Sequence, residues 1–210
     1  MAETAFRFVA CNDIQVLRLQ SADGTNRLKR ECIGSLLQAM HELKEKSHPL
    51  LITGNDKFFS AGADLGEIAA LSAPDAYEFS RLGQELMLAI ERFPAPVCAA
   101  ISGYCMGGGL DLVLACHRRI ASPGSVFGHR GAALGLLTGW GGTQRLPRLV
   151  GKARALQMFL TAEIVSAPEA LRIGLVNHVA DDPEAEALRW LESATQTAPR
   201  VAPGRTPVIP

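Results

Sequence analysis

The chain has 210 residues, 48% hydrophobic and 20% charged, with 21 basic residues balancing 21 acidic ones. That length gives one domain with a substantial core, and zero formal net charge leaves no electrostatic footprint for nucleic acid or an anionic membrane. Five scattered cysteines (Cys11, Cys32, Cys98, Cys105 and Cys116) form no C-x-x-C pair, which argues against a disulfide framework or a zinc site and for a reducing, cytoplasmic setting.

The N-terminus carries Glu3 and Arg7 and lacks the apolar core of a signal peptide. Phe6 to Ala10 and Ile14 to Leu19 read as strands around a Cys-Asn-Asp turn. Arg27 to Lys46 has apolar residues at a helical period until His48-Pro49, and Leu50 to Thr53 reads as a short buried strand. Pro74 suits a first helical turn, so Asp75 to Arg92 reads as a second long helix. Pro94 and Pro96 precede a strand from Val97 to Ile101, and a Gly-rich turn leads to a helix over Leu110 to Cys116. The apolar run from Val97 to Cys116 is broken by Ser102, Gly103, Gly107 to Gly109 and Asp111, so it reads as strand–turn–helix and not as a membrane span. Arg119 to Ser122 and Val126 to Gly128 read as strands, and Gly141 to Val150, Ala153 to Thr161, Pro168 to Ile173 and Pro183 to Thr197 as helices. The alternation implies an α/β architecture: a core over residues 1–180, a C-terminal helix over 181–197, and a Pro-rich, disordered or extended tail over 198–210. No internal repeat stands out.

Two glycine-rich turns follow strands. The first runs from Ile52-Thr53-Gly54 through Phe58-Phe59-Ser60-Ala61-Gly62-Ala63-Asp64-Leu65, the second from Ser102-Gly103-Tyr104 through Gly107-Gly108-Gly109-Leu110-Asp111. Consecutive glycines before an apolar helix cost backbone entropy, and they suit a ligand that must approach main-chain N–H groups at a helix N-terminus. Neither the dinucleotide fingerprint nor the P-loop spacing is present.

Together these segments resemble the enoyl-CoA hydratase/isomerase (crotonase) family. The likeness continues through Phe127-Gly128, Leu134-Gly135-Leu136, Gly141-Gly142-Thr143-Gln144-Arg145-Leu146 and Ala170-Leu171-Arg172-Ile173-Gly174-Leu175-Val176-Asn177. It implies a spiral of ββα units, usually trimeric or a dimer of trimers, that binds an acyl-CoA thioester without metal, redox cofactor, nucleic acid or membrane. The backbone amides of Ala63 and Gly108 would form an oxyanion hole. The resemblance also places Ala61, Asp64, Leu65, Gly66, Gly107, Gly131 and Leu134 around the substrate. Basic residues gripping the coenzyme A phosphates are expected at Arg27, Lys29 and Lys57.

Family hydratases carry one glutamate three positions after the second oxyanion glycine, where this chain has Asp111; it is read as the acid/base group, with stabilisation of the helix N-terminus as the other reading. The second glutamate position is Gly131, which cannot transfer a proton. Single-carboxylate isomerisation, decarboxylation, another carbon–carbon bond reaction, or substitution by His129 or Arg130 all stay open. So does a non-catalytic acyl-CoA-binding or assembly subunit. Tyr104 is expected to pack, and Cys105 to be a buried, inert thiol. With only Pro183 to Thr197 left for a C-terminal helix, the acyl pocket is expected to be open or completed by another protomer.

Overall fold

A computed structural model describes residues 5–197, so the expected Pro-rich tail lies outside the described residues. The chain opens with an antiparallel hairpin of β1 (Phe6–Cys11) and β2 (Ile14–Leu19), turned by Asn12 at φ 54°, a left-handed conformation asparagine tolerates. There follow β3 (Arg27–Leu28), α1 (Arg30–Lys44), β4 (Leu50–Thr53), β5 (Phe58–Ser60), β6 (Gly62–Ala63), α2 (Leu65–Ala69) and α3 (Ala73–Glu91). The middle of the chain holds β7 (Val97–Ile101), β8 (Tyr104–Met106), α4 (Gly108–Ala115), β9 (Arg118–Ala121), β10 (Val126–Gly128) and a 3-10 turn at Arg130–Leu134. Then come α5 (Gly142–Val150), α6 (Lys152–Thr161), β11 (Val165–Ser166), α7 (Ala167–Arg172), β12 (His178–Val179) and α8 (Pro183–Thr197).

One sheet has the order β1-β2-β4-β7-β9-β12, parallel after its opening hairpin, and a second has the order β11-β10-β8-β5. Three times the chain makes a strand of the first sheet, a strand of the second and then helix: β4, β5 and α2–α3; β7, β8 and α4; β9, β10 and the 3-10 turn with α5. This is the ββα repetition that the sequence does not reveal by eye. Each turn of the spiral sets a glycine-rich bend beside its predecessor.

The central strands β4 and β7 are buried on both faces, as continuous apolar runs between parallel neighbours require. Alternate residues point to opposite sides. Leu50, Ile52, Val97, Ala99 and Ile101 join the main core with α1, α3 and α4. Leu51, Cys98 and Ala100 pack instead with Ala187 and Leu191 of α8. The expected C-terminal helix thus closes the far face of the sheet and not the cavity described below.

Arg119 ties the site-bearing helix to this sheet. It is buried, and its guanidinium donates to the carbonyls of Leu175 and Cys116 at 2.9 and 2.6 Å and to Asn177 Oδ1 at 3.2 Å. A cation among free carbonyls at the end of α4 is favoured by the helix dipole.

Most of the helix and strand ends read from the sequence lie within two residues of those observed, and two departures bear on the site. Arg27 and Leu28 do not begin a helix: they form β3, paired in parallel with Gly62 and Ala63, and the helix starts at Arg30. The expected loop after Gly54 contains two short strands and α2, whose N-cap is Asp64, accepting from the Glu67 N–H at 3.0 Å.

Candidate active site

The two glycine turns are clipped together. The Tyr104 N–H donates to the Lys57 carbonyl at 3.0 Å, joining the second turn to the first just before they diverge into helices. Asn26 sets the first turn from below: its Nδ2 donates to the Phe58 and Phe59 carbonyls at 3.0 and 3.1 Å. Further along, Gly62 (φ 91°) lies so near the second turn that an added Cβ would sit 2.6 Å from the Met106 carbonyl oxygen and 3.0 Å from the Gly108 nitrogen. Gly108 opens α4, so its N–H has no carbonyl one turn back in the helix. A side chain at Gly108 would overlap the six-membered ring of Trp140. The backbones of Gly62-Ala63 and Gly107-Gly108 therefore meet at one point, and only glycine lets them do so.

That point opens into a cavity of about 400 Å³. Ala61, Ala63, Leu65, Gly107, Gly108, Asp111, His129, Gly131 and Leu134 of the expected site residues line it. Apolar side chains build the rest of the wall, among them Ile68 of α2, Phe79 of α3, Leu137, Trp140 and Phe159 of α6. Arg27, Asp64 and Gly66 fall outside the lining, as do Lys29 and Lys57. Arg27 is half-exposed and paired with Asp23 at 2.8 Å, while Asp64 spends its carboxylate on the α2 cap. Tyr104 stacks on Phe58 with ring centroids 5.2 Å apart, and the fully buried Cys105 thiol is pushed well above its ordinary range by desolvation.

Asp111 stands in the first turn of α4 with 1% of its side chain exposed. Its Oδ2 accepts from the Thr138 hydroxyl, while its Oδ1 has no hydrogen-bond partner among the described residues. Burial pushes the carboxyl from 3.8 up to about 7, against the opposing pull of the Thr138 hydroxyl, the Arg145 guanidinium and the Gly142 N–H. His129 Nε2 lies 3.6 Å from Oδ1 and is likewise unpartnered; burial drives this imidazole down to about 4. Between these two values both side chains are neutral. Gly142, at the start of α5, presses on the pair: an added Cβ would overlap Oδ1 and stand 3.1 Å from Nε2.

The model for the enoyl-CoA hydratase/isomerase family matches residues 10–202. The chain belongs to the enoyl-CoA hydratase/isomerase family. It is 41% identical over 174 residues to the crotonyl-CoA hydratase of Syntrophomonas wolfei, an alignment covering 81% of this chain and 67% of that one. It is 42% identical over 175 residues to the fatty acid oxidation complex subunit alpha of Shewanella loihica, covering 80% of this chain and 25% of that relative. The structure of Pseudomonas aeruginosa DspI is similar with a TM-score of 0.89 at 36% identity, over 94% of this chain and 77% of that chain. The ββα spiral is the fold expected for an enoyl-CoA hydratase/isomerase relative.

Sequence reasoning missed Thr138, Trp140, Phe79 and Phe159. Thr138 and Trp140 immediately precede the quoted Gly141-Gly142 motif, the one local signal for them. Phe79 and Phe159 sit on helices whose periodicity marks them only as inward-facing. Among the described residues no group of three His, Cys, Asp or Glu side chains could hold a metal ion, and no helix is long and apolar enough to cross a membrane.

Proposed function

We propose that this chain is an acyl-CoA enzyme that stabilises a thioester enolate on the amides of Ala63 and Gly108, with Asp111 moving the proton. The observation that carries this reading is the convergence of the two glycine turns beside a buried carboxyl in one largely apolar cavity. Proton abstraction next to a thioester carbonyl puts negative charge on its oxygen. Two preorganised amides in a water-poor site stabilise that charge, each contributing about 10²- to 10³-fold in rate. The apolar wall of Leu65, Ile68, Phe79, Leu137 and Trp140 receives the acyl group. A homo-oligomer, trimer or dimer of trimers, in the cytoplasm belongs to the same reading. Leu156 and Leu160 on α6, 57% and 73% exposed, support it as apolar surface for a neighbouring copy.

Within the family's chemistry, double-bond isomerisation fits these residues better than hydration. Hydration needs a second proton-transferring group placed to activate water, and position 131 offers none. The backbone there also leaves little room: a Cβ on Gly131 would stand 2.9 Å from the Leu136 carbonyl oxygen, and the Leu136 N–H donates to the Gly131 carbonyl at 2.9 Å. Gly131→Glu is therefore expected to cost about 1–3 kcal/mol of stability by overpacking and to create no hydratase activity. Denaturant unfolding and an assay of water addition to a 2-enoyl thioester check the two halves; brisk hydration by the variant would contradict them.

The reading itself is tested by incubating the protein with 2-enoyl-, 3-enoyl-, 3-hydroxyacyl- and malonyl-type CoA thioesters and following products by chromatography with mass spectrometry and by the ultraviolet absorbance of the conjugated 2-enoyl thioester, which separates the equal-mass 2- and 3-enoyl isomers. Interconversion of 2- and 3-enoyl thioesters is the expected result. Tight binding with no product from any thioester would favour a non-catalytic acyl-CoA-binding subunit, and carbon dioxide release from the malonyl type would favour decarboxylation.

A further inference from the structure

We infer that His129 is the positioning partner of Asp111: the carboxyl proton is held between Asp111 Oδ1 and His129 Nε2, so that two residues carry one proton where a second carboxylate is missing. The inference rests on the proposed enolate chemistry and specifies how its single base is set. Oδ1 and Nε2 are buried polar atoms without partners, they face each other at 3.6 Å, and both residues line the same cavity. An unpaired buried polar atom costs about 1–3 kcal/mol, and one proton between the two satisfies both. Hydrogen bonds of catalytic groups are often long in an empty site and tighten when ligand enters.

The spacing also says what the pair does not hold. A water bridging two atoms makes two hydrogen bonds of about 2.8 Å each, so its partners stand roughly 4.5–5.5 Å apart. Oδ1 and Nε2 are too close for that. The pair is a carrier of one proton and not a clamp for a nucleophilic water.

Every other group facing the pair leaves the proton there. The Thr138 hydroxyl donates to Oδ2, and the nearby Gly142 N–H favours the charged carboxylate without being a hydrogen-bond partner of Oδ1. Arg145 of α5 acts from further off, engaged with Glu91 at 2.6 Å and with the Trp140 carbonyl at 3.3 Å. The Cys105 thiol of β8 stays neutral, and the Phe159 ring of α6 covers the imidazole at 5.1 Å.

In the forward step on a 3-enoyl thioester, the Asp111 carboxylate takes a proton from the carbon next to the carbonyl. The C–H electron pair becomes the enolate, with its charge on the thioester oxygen. The new carboxylic acid donates to Nε2, which holds it in place. The electrons then return through the old double bond, which moves next to the carbonyl, and the same proton is delivered to the far carbon. The carboxylate is restored, and nothing is gained or lost.

The test is nuclear magnetic resonance of the full chain with carbon-13 aspartate carboxyls and nitrogen-15 imidazoles, across pH 4 to 9, using Asp111→Asn to assign the carboxyl signal. In the unaltered protein the carboxyl is expected to titrate near 7, with Nε2 unprotonated below that point and responding at the same midpoint. In His129→Leu the acceptor for the neutral acid is gone, so the carboxyl midpoint falls by about one pH unit or more. His129→Gln, whose Oε1 can accept, keeps most of the original value. The pH profile of kcat/KM follows these midpoints, with KM changed by less than about twofold. An Nε2 that carries its proton below the Asp111 midpoint, or ignores that midpoint, overturns the dyad even if His129→Leu fails to fold. A carboxyl midpoint that stays put or rises in His129→Leu overturns it too. These readouts need no turnover. A protein inactive on every thioester would remove the functional reading while leaving the dyad standing, and a titration blind to His129 would do the reverse.

Discussion

Asp111→Asn is expected to lower kcat by about 10²- to 10⁴-fold, the usual contribution of a positioned acid/base group, and at the same time to stabilise the protein above pH 7. The two effects have one cause. Burial holds the folded-state carboxyl at about 7 against 3.8 when exposed, so between those values the folded chain binds a proton that the unfolded chain has released. The side chain's favourable contribution is fully present below about pH 4 and is lost as pH rises through 7. Once the charge is forced on the buried group, the cost is roughly 4 kcal/mol, the free-energy equivalent of that displacement. Asparagine keeps the shape, can accept from Thr138 and can donate towards His129, yet never ionises. Urea unfolding of both proteins at pH 5 and pH 8 checks this: the variant's advantage should be small at pH 5 and several kcal/mol at pH 8. Equal stabilities at both pH values would mean that Asp111 is not buried as a neutral acid.

Gly108→Ala should cost kcat/KM at least about 10²-fold and stability about 1–3 kcal/mol. The added methyl cannot be absorbed by a swing of Trp140. That indole is only 4% exposed, and on its other edge it abuts Gly83 so closely that a Cβ there would also overlap it. Phe79 meets it edge-on at a centroid distance of 5.4 Å. The backbone at the start of α4 must move instead, taking the Gly108 N–H out of the place proposed for it beside the Ala63 amide. Replacing Trp140 by leucine in the same protein removes the obstacle. Because the two sites are in contact, their effects should not add: the double variant should be more stable than the sum of the single losses allows. Additive losses would show that the ring does not constrain Gly108.

Some of this molecule could be read from residues alone. Leu50–Thr53, Val97–Ile101, Val126–Gly128 and Pro183–Thr197 have the ends that the sequence predicts, because their apolar runs or helical periods stop at Pro, Gly or a polar cluster. Two-residue strands have no period to detect. The helical period thus runs on through Arg27 and Leu28, although their main chain pairs with Gly62 and Ala63 in a short ladder. Asp64 belongs to the same lesson: its capping role depends on α2, a helix too short to announce itself. The first half of the site follows from local glycine patterns, which fix where backbone must approach backbone. The second half does not, because the cavity wall is assembled from α3, α6 and the stretch around Trp140, far apart in sequence. Nor could the neutral state of His129 be foreseen, since nothing near it along the chain says that Phe159 will lie across it.

The chain contains two tryptophans, and they report on different places. Trp190 sits under the Arg118 guanidinium at 5.3 Å on the side of the sheet that α8 covers. Trp140 forms part of the cavity wall, immediately behind the Gly108 backbone. Excited at the indole band, the protein carries its own optical gauge: a guest displacing solvent beside Trp140 alters its emission, while Trp190 supplies a constant background. Removing Trp190 would leave a single-fluorophore protein whose glow follows occupancy without any added dye.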